Sequence, residues 1–164
     1  PDCYLIPEGG TNPLAIQGCQ EILTSEDLNH YDVFCCAVGT GGTLSGLIQA
    51  SDSRHQLLGF SALKGEFLTQ EVKQFTDKSN WKILDTYCCG GYAKTSPELM
   101  QFIHSFEQIY QIPLEQVYTG KMLMGIFDLI QQGFFQSGTR ILAIHTGGLQ
   151  GRAQELGDMP KISV

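Results

Sequence analysis

The residues most able to do chemistry lie in Ala37 to Gly46, AVGTGGTLSG. An apolar run ends in a glycine-rich turn, and helix-forming residues begin at Leu44. Such a turn lets successive backbone N–H groups face one anion, and the helix dipole adds partial positive charge there. Gly39, Thr40, Gly41, Gly42 and Thr43 are therefore candidates to hold a phosphate, with the two threonine hydroxyls as further donors. The spacing is not the dinucleotide fingerprint, because Leu44 stands where G-x-G-x-x-G needs its third glycine. No Gly-Lys-Ser/Thr closes the turn, so it is not a P-loop either. A plain structural turn would have the same composition.

Two more small-residue turns follow apolar runs: EGGTNP at Glu8 to Pro13 and HTGG at His145 to Gly148. In open α/β sheets the loops at the carboxyl ends of strands meet at the ligand crevice. Three such turns are what one shared crevice would need, and ordinary connections between strands and helices are the plainer alternative. Tyr118, before a long helix, could stack on a planar ligand or serve as acid or base. Tyr92, in GGYAK, is the same case. For both, a half-buried tyrosine covering a helix end is the plainer alternative. His145 reads as a satisfied structural histidine. His30, His55 and His104 show no ligand spacing, and Glu107 with Glu115 forms no carboxylate constellation.

The elements that must position these residues alternate. Tyr4 to Ile6 reads as a short strand, and Asn12-Pro13 opens a helix running to about Leu23. Tyr31 to Val38 is an apolar run of strand length, suited to a strand buried on both faces. A helix from Leu44 to Ala50, a strand from Gln56 to Leu63, a helix from Glu66 to Phe75 and a strand from Trp81 to Leu84 follow. Ser96-Pro97 caps a helix whose Leu99, Ile103, Phe106 and Tyr110 share one face. Met122 to Phe134 is a second long helix, Arg140 to His145 a strand, and a last short helix ends near Leu156. The expected fold class is α/β, a mostly parallel open sheet flanked by helices.

Composition narrows the classes. A net charge of -7 repels phosphodiester backbones, so a nucleic-acid partner is not expected. No apolar run reaches the length of a membrane span. The start, Pro-Asp-Cys-Tyr-Leu-Ile-Pro, lacks the pattern of a signal peptide and a leading Met, which suggests a chain entered partway through. Of the six cysteines, Cys35-Cys36 and Cys88-Cys89 are adjacent pairs, and neighbours in a strand point to opposite faces. No C-x-x-C occurs, so no metal site is expected. Reduced, packed cysteines fit a cytoplasmic protein.

IPEGGTNP (Ile6 to Pro13), AVGTGGTLSGL (Ala37 to Leu47), GGYAKTSPEL (Gly90 to Leu99), YTGKM (Tyr118 to Met122) and IHTGGLQG (Ile144 to Gly151) occur in this order. Together they resemble the D-cysteine desulfhydrase / 1-aminocyclopropane-1-carboxylate deaminase family, enzymes of the tryptophan-synthase-β-like fold (fold type II). The resemblance implies pyridoxal 5'-phosphate as cofactor, a small amino acid as substrate and a homodimer. It implies that the Gly39 to Thr43 backbone binds the cofactor phosphate. Tyr118 would lie against the pyridine ring, Tyr92 across the substrate pocket, and Thr146 near the ring nitrogen. Tyr118 and Tyr92 would then be the catalytic candidates, and Glu8 to Asn12 would line the cleft.

Ring-opening deaminases of this family carry glutamate after the ring-stacking tyrosine; here that residue is Thr119, counted with the cofactor-binding set. A hydroxyl supports ring protonation less than a carboxylate, which favours β-elimination from D-cysteine, giving pyruvate, ammonia and sulfide. Ring opening to 2-oxobutanoate and ammonia is the alternative. A non-catalytic phosphate-binding or assembly module is the rival from outside enzymes. The resemblance also implies that residues 1–164 are the C-terminal portion of the large cofactor-binding domain. The segment with the cofactor-anchoring lysine and the small domain would then be absent, and this chain alone inactive. Lys64, Lys94 and Lys121 lie outside the matching context and are expected to be solvated.

Overall fold

A computed structural model describes Cys3 and residues 5–160. Four strands form one parallel sheet: β1 (Val33–Val38), β2 (Gln56–Ser61), β3 (Trp81–Leu84) and β4 (Ile141–Ile144). Their spatial order is β3-β2-β1-β4. The α/β expectation with a parallel open sheet is met. The chain moves outward from β1 through β2 to β3, then returns to place β4 on the other side of β1. That reversal opens a crevice at the carboxyl ends of β1 and β4.

The helices are α1 (Pro13–Cys19), α2 (Ser25–His30), α3 (Gly42–Ala50), α4 (Phe67–Lys73), α5 (Pro97–Tyr110) and α6 (Thr119–Gln131). Side chains start three of them: Asn12, Thr24 and Ser96 accept from the backbone N–H groups of Ala15, Asp27 and Leu99.

Because strand side chains alternate, β1 feeds two cores. Val33 and Cys35 join Leu58, Phe60 and the buried faces of α5 and α6. Phe34, Cys36 and Val38 join Leu57 and the buried faces of α3 and α4. All six cysteines are free, and Cys35 and Cys36 lie in opposite cores. Burial raises the Cys35 and Cys36 thiol pKa values, Cys36 to about 12, so both stay protonated packing groups. Gly125 lets α6 approach closely: a Cβ there would stand 2.6 Å from the Phe60 ring. This packs the middle of α6 against β2, while Tyr118 at its start packs on Gly39 behind β1.

Several expected boundaries are corrected. The helix expected to reach Leu23 stops at Cys19, and a 3-10 turn spans Gln20–Ile22. Thr24 and Asp27 then form a capping box that starts α2, which the apolar pattern did not reveal because none of its residues is buried. Helix α6 starts at Thr119 rather than Met122. The final helix is two 3-10 turns, Leu149–Gly151 and Gln154–Leu156. Of the strand expected at Tyr4 to Ile6, Tyr4 lies outside the described residues. Leu5 and Ile6 are exposed and not in a strand, since β propensity makes no ladder without a partner.

Candidate active site

The crevice is a cleft of about 360 Å³ whose lining includes Thr11, Gly39 to Thr43, Tyr118 and Thr146. The three glycine turns do meet there: residues from 9–11, 39–44 and 146–148 all contribute. Among the described residues no Lys, Arg, Asp or Glu lines it. A larger groove of about 910 Å³ runs beside α4 and β3, away from these turns, and has open solvent on one side.

The start of α3 forms the cleft floor. Gly41 is its N-cap with φ 91°, in the left-handed region, and no side chain caps the helix. A Cβ on Gly42 would stand 2.8 Å from Thr11 Oγ1, and the Thr11 and Thr40 hydroxyls share a 2.6 Å hydrogen bond. The first and second turns therefore interlock, which holds the first-turn N–H groups of α3 toward the cleft. A phosphate would complete these donors.

Tyr118 forms one wall. A Cβ on Gly39 would lie 3.3 Å from its ring, so the tyrosine packs across the glycine turn. Burial first, then the Tyr92 hydroxyl and the Glu115 and Glu8 charges, push its phenol pKa up to about 12. At neutral pH Tyr118 is thus a neutral hydrogen-bond donor beside the cleft. Tyr92 is exposed, and its ring centre lies 6.1 Å from that of Tyr118, edge-on at 64°. Thr146 lines the opposite side and is exposed.

Of the residues expected at the site, Thr119 and Tyr92 do not line the cleft, and of Glu8 to Asn12 only Gly9, Gly10 and Thr11 do. Thr119 is fully buried; its hydroxyl donates to Glu115 Oε1 and accepts from the Glu115 N–H, both at 3.1 Å. The helix starts at Thr119, and this rotation turns its side chain away from the ligand face.

Glu115 is the functional neighbour that sequence reasoning missed. Its buried carboxylate accepts from the N–H groups of Val117 (2.6 Å), Tyr118 (2.8 Å) and Thr119 (2.5 Å). It therefore sets the backbone from which Tyr118 projects. It lies three residues before the N-cap Tyr118, outside the usual capping-box spacing, so no local signal marks it.

Lys121 also departs from expectation. It is 1 % exposed rather than solvated, and its ammonium donates to the carbonyls of Cys88 (2.9 Å) and Gly91 (3.0 Å). Burial lowers its pKa. A periodic signal was available: Lys121, Gly125 and Leu129 follow at helical spacing and all are buried. Lys64 and Lys94 are exposed, as expected.

His145 is structural. Its Nδ1 accepts from the Gly147 N–H, which leaves Nε2–H to donate to the Pro113 carbonyl at 2.9 Å. Glu107 is not idle either: it pairs with Arg152 at 2.5 Å, while Arg152 also donates to the Leu114 and Leu156 carbonyls. Among the described residues no His, Cys, Asp and Glu cluster could hold a metal, and no helix is long and apolar enough to cross a membrane.

Comparison with known proteins adds an independent line. No protein-family model matches the chain. It is 32% identical over 166 residues to a Pyrococcus horikoshii protein provisionally named as a 1-aminocyclopropane-1-carboxylate deaminase, covering 90% of this chain and 50% of that one. It is 28% identical over 167 residues to the D-cysteine desulfhydrase of Klebsiella pneumoniae strain 342, with 88% and 50% covered. A crystal structure of a homologue of 1-aminocyclopropane-1-carboxylate deaminase superposes with a TM-score of 0.75 at 29% identity, covering 90% of this chain and 50% of that one. The chain spans about half the length of the curated relatives it matches. With the fold, the order of the glycine turns and these similarities in agreement, the chain belongs to the 1-aminocyclopropane-1-carboxylate deaminase / D-cysteine desulfhydrase family.

Proposed function

We propose that this chain supplies the phosphate cradle and one active-site wall of a pyridoxal-phosphate enzyme acting on a small amino acid. The observation that carries this reading is a helix start without a side-chain cap, sharing one cleft with a neutral, buried-faced Tyr118. The residues fit the cofactor chemically. The N–H groups at Gly41 to Thr43 would hold its phosphate, Tyr118 would lie against its ring, and Thr146 would face the ring's far edge. When bound, the cofactor supplies an electron sink for bond breaking beside an amino-acid Cα.

The chain's own residues then have defined tasks. Glu115 holds the Tyr118 backbone, and Thr11 holds Thr40. Tyr118 keeps its proton at neutral pH and can donate it to a leaving group. Tyr92, whose ring lies edge-on to that of Tyr118 on the exposed side, would meet the substrate. No charged side chain among the described residues lines the cleft directly, and the Glu115 and Glu8 charges are felt at Tyr118 from behind that lining.

D-cysteine β-elimination is the preferred reaction. The position after Tyr118 carries no carboxylate, and Thr119 does not reach the cleft, so the cofactor ring would gain little support for protonation from that side. Elimination of a good leaving group needs the weaker sink only. The anchoring lysine is expected in residues outside these 164.

Pyridoxal phosphate should be added to this chain and to the intact protein that contains it, with borohydride reduction and peptide mapping. The expected result is reversible binding to this chain, competed by inorganic phosphate, and a reduced label only in the intact protein, at a lysine outside these residues. Labelling of this chain at Lys64, Lys94 or Lys121 would overturn the assignment. Assays of the intact protein with D-cysteine and with 1-aminocyclopropane-1-carboxylate would then separate elimination from ring opening.

A further inference from the structure

The loop that carries Tyr92 is tied within itself by backbone turns, from the Cys88 N–H to the Asp85 carbonyl (3.2 Å), the Gly91 N–H to that of Cys88 (3.0 Å) and the Lys94 N–H to that of Gly91 (3.2 Å), yet its backbone is strained. Cys89 (φ 55°), Gly90 (89°), Gly91 (141°) and Ala93 (54°) all have positive φ. Two of these are not glycine, and the left-handed conformation costs such residues roughly 1–2 kcal/mol each. Residues 92–95 are exposed, so side-chain burial does not fix them.

The buried members of this stretch are Cys88 and Gly91, and these are the residues whose carbonyls receive the Lys121 ammonium. No carboxylate pairs with that ammonium among the described residues. The Glu115 carboxylate favours the charge without bonding to it, burial opposes it, and an apolar side chain of similar length would fill the space without that cost. Filling therefore does not account for a lysine here; two carbonyl acceptors do. Gly91 immediately precedes Tyr92, whose ring lies against Tyr118, three residues before Lys121.

We propose that Lys121 is a positioning residue: by holding the carbonyls of Cys88 and Gly91 to the first turn of α6, its ammonium sets Tyr92 against Tyr118. The inference deepens the reading of Tyr92 and Tyr118 as the substrate-facing pair and rests on it for its functional meaning. Both tyrosines are then referred to one element. Tyr118 projects from the start of α6, and Tyr92 is tied to α6 one turn later.

The test is NMR on the ligand-free chain with Lys121→Met, which keeps the stem and removes the donors, and Lys121→Arg as the conservative variant. In Lys121→Met the amides of residues 89–93 should exchange about tenfold faster while those of β1 stay within about twofold. The ring contact between Tyr92 and Tyr118 should be lost, and the Tyr118 ionisation midpoint should fall. Lys121→Arg should restore contact and midpoint. Unchanged loop exchange and ring contact in Lys121→Met, or equal acceleration of loop and β1, would overturn the proposal. If Lys121→Met does not fold, the unaltered chain decides. Slowly exchanging Lys121 ammonium protons close to Gly91 are expected, and rapid solvent-averaged exchange would overturn the clamp. The test needs no cofactor. Failure of pyridoxal phosphate to bind would sink the functional reading and leave the clamp; an unmoved loop would do the reverse.

Discussion

Two helices begin at the same cleft and solve the same electrostatic problem differently. Both α3 and α6 present unpaired N–H groups and partial positive charge at their first turns. In α6 the Glu115 carboxylate takes those donors internally, and Thr119 adds its hydroxyl. In α3 the N-cap is Gly41, and no side chain caps the turn. The anion is thus built in at one helix and left to a ligand at the other. A filled terminus makes a rigid base for a side chain, here Tyr118. An open one is what the proposed phosphate site would use.

The contrast can be broken from either side. The largest effect is expected at the filled terminus: Glu115→Ala orphans one buried and two part-buried N–H groups and should destabilise the chain by about 3 kcal/mol. Glu115→Gln, which keeps one oxygen, should lose less. Chemical denaturation of both variants checks this, and equal stability to the parent would mean that water serves those donors as well as Glu115 does.

Filling the open terminus is the converse. Thr43→Asp adds a carboxylate to the first turn of α3 and should weaken pyridoxal-phosphate binding by about a hundredfold, about 2.7 kcal/mol. Through the helix dipole it should also stabilise the chain by about 0.5 kcal/mol. Titration followed by absorbance, with thermal unfolding alongside, reads both. Undiminished binding would place the phosphate elsewhere.

Removing the brace between the turns should matter less. Thr11→Val breaks its hydrogen bond to Thr40 and should cost about 1 kcal/mol in stability, with a weaker phosphate site as the visible sign.

The smallest effect is confined to alkaline pH. The folded-state pKa of Tyr118 is raised to about 12, above the ordinary value of 10.0, so the folded chain keeps a proton that the unfolded chain loses. Its contribution is full below pH 10 and is lost as pH rises toward 12. Tyr87, whose hydroxyl donates to Asp128 at 2.6 Å, adds to the same window. Stability measured against pH should fall less steeply there for Tyr118→Phe than for the parent chain. Identical slopes would remove Tyr118 from the account.

Which parts were legible in the residues follows from the range of the forces involved. The strand of Val33–Val38, the glycine turn behind it and the capped starts at Asn12 and Ser96 are local patterns, and each appears where the pattern placed it. The meeting of the turns behind β1 and β4 follows from parallel strands whose ends share one edge of the sheet, whereas the turn at Glu8 to Pro13 follows no strand among the described residues and reaches the cleft only through packing. Glu115 was not legible in this way, and for Lys121 the helical spacing could signal burial but not its partners. Each acts on backbone groups, and Lys121 reaches across a separation of 30 residues and more to Cys88 and Gly91. Thr119 was misread for a related reason: one turn of difference in where α6 starts decides whether its hydroxyl faces ligand or Glu115.

By itself, then, the sequence determined the alternation of strands and helices, the two-faced burial of β1 and the anion-ready turn at Gly39 to Thr43. These depend on residue period, propensity and glycine geometry over a few neighbours. Only the tertiary structure decided which helix terminus is open and which is occupied, and which tyrosine faces which. The physical reason is that a carboxylate or an ammonium finds its partners through space, where chain packing has already placed unpaired N–H and C=O groups.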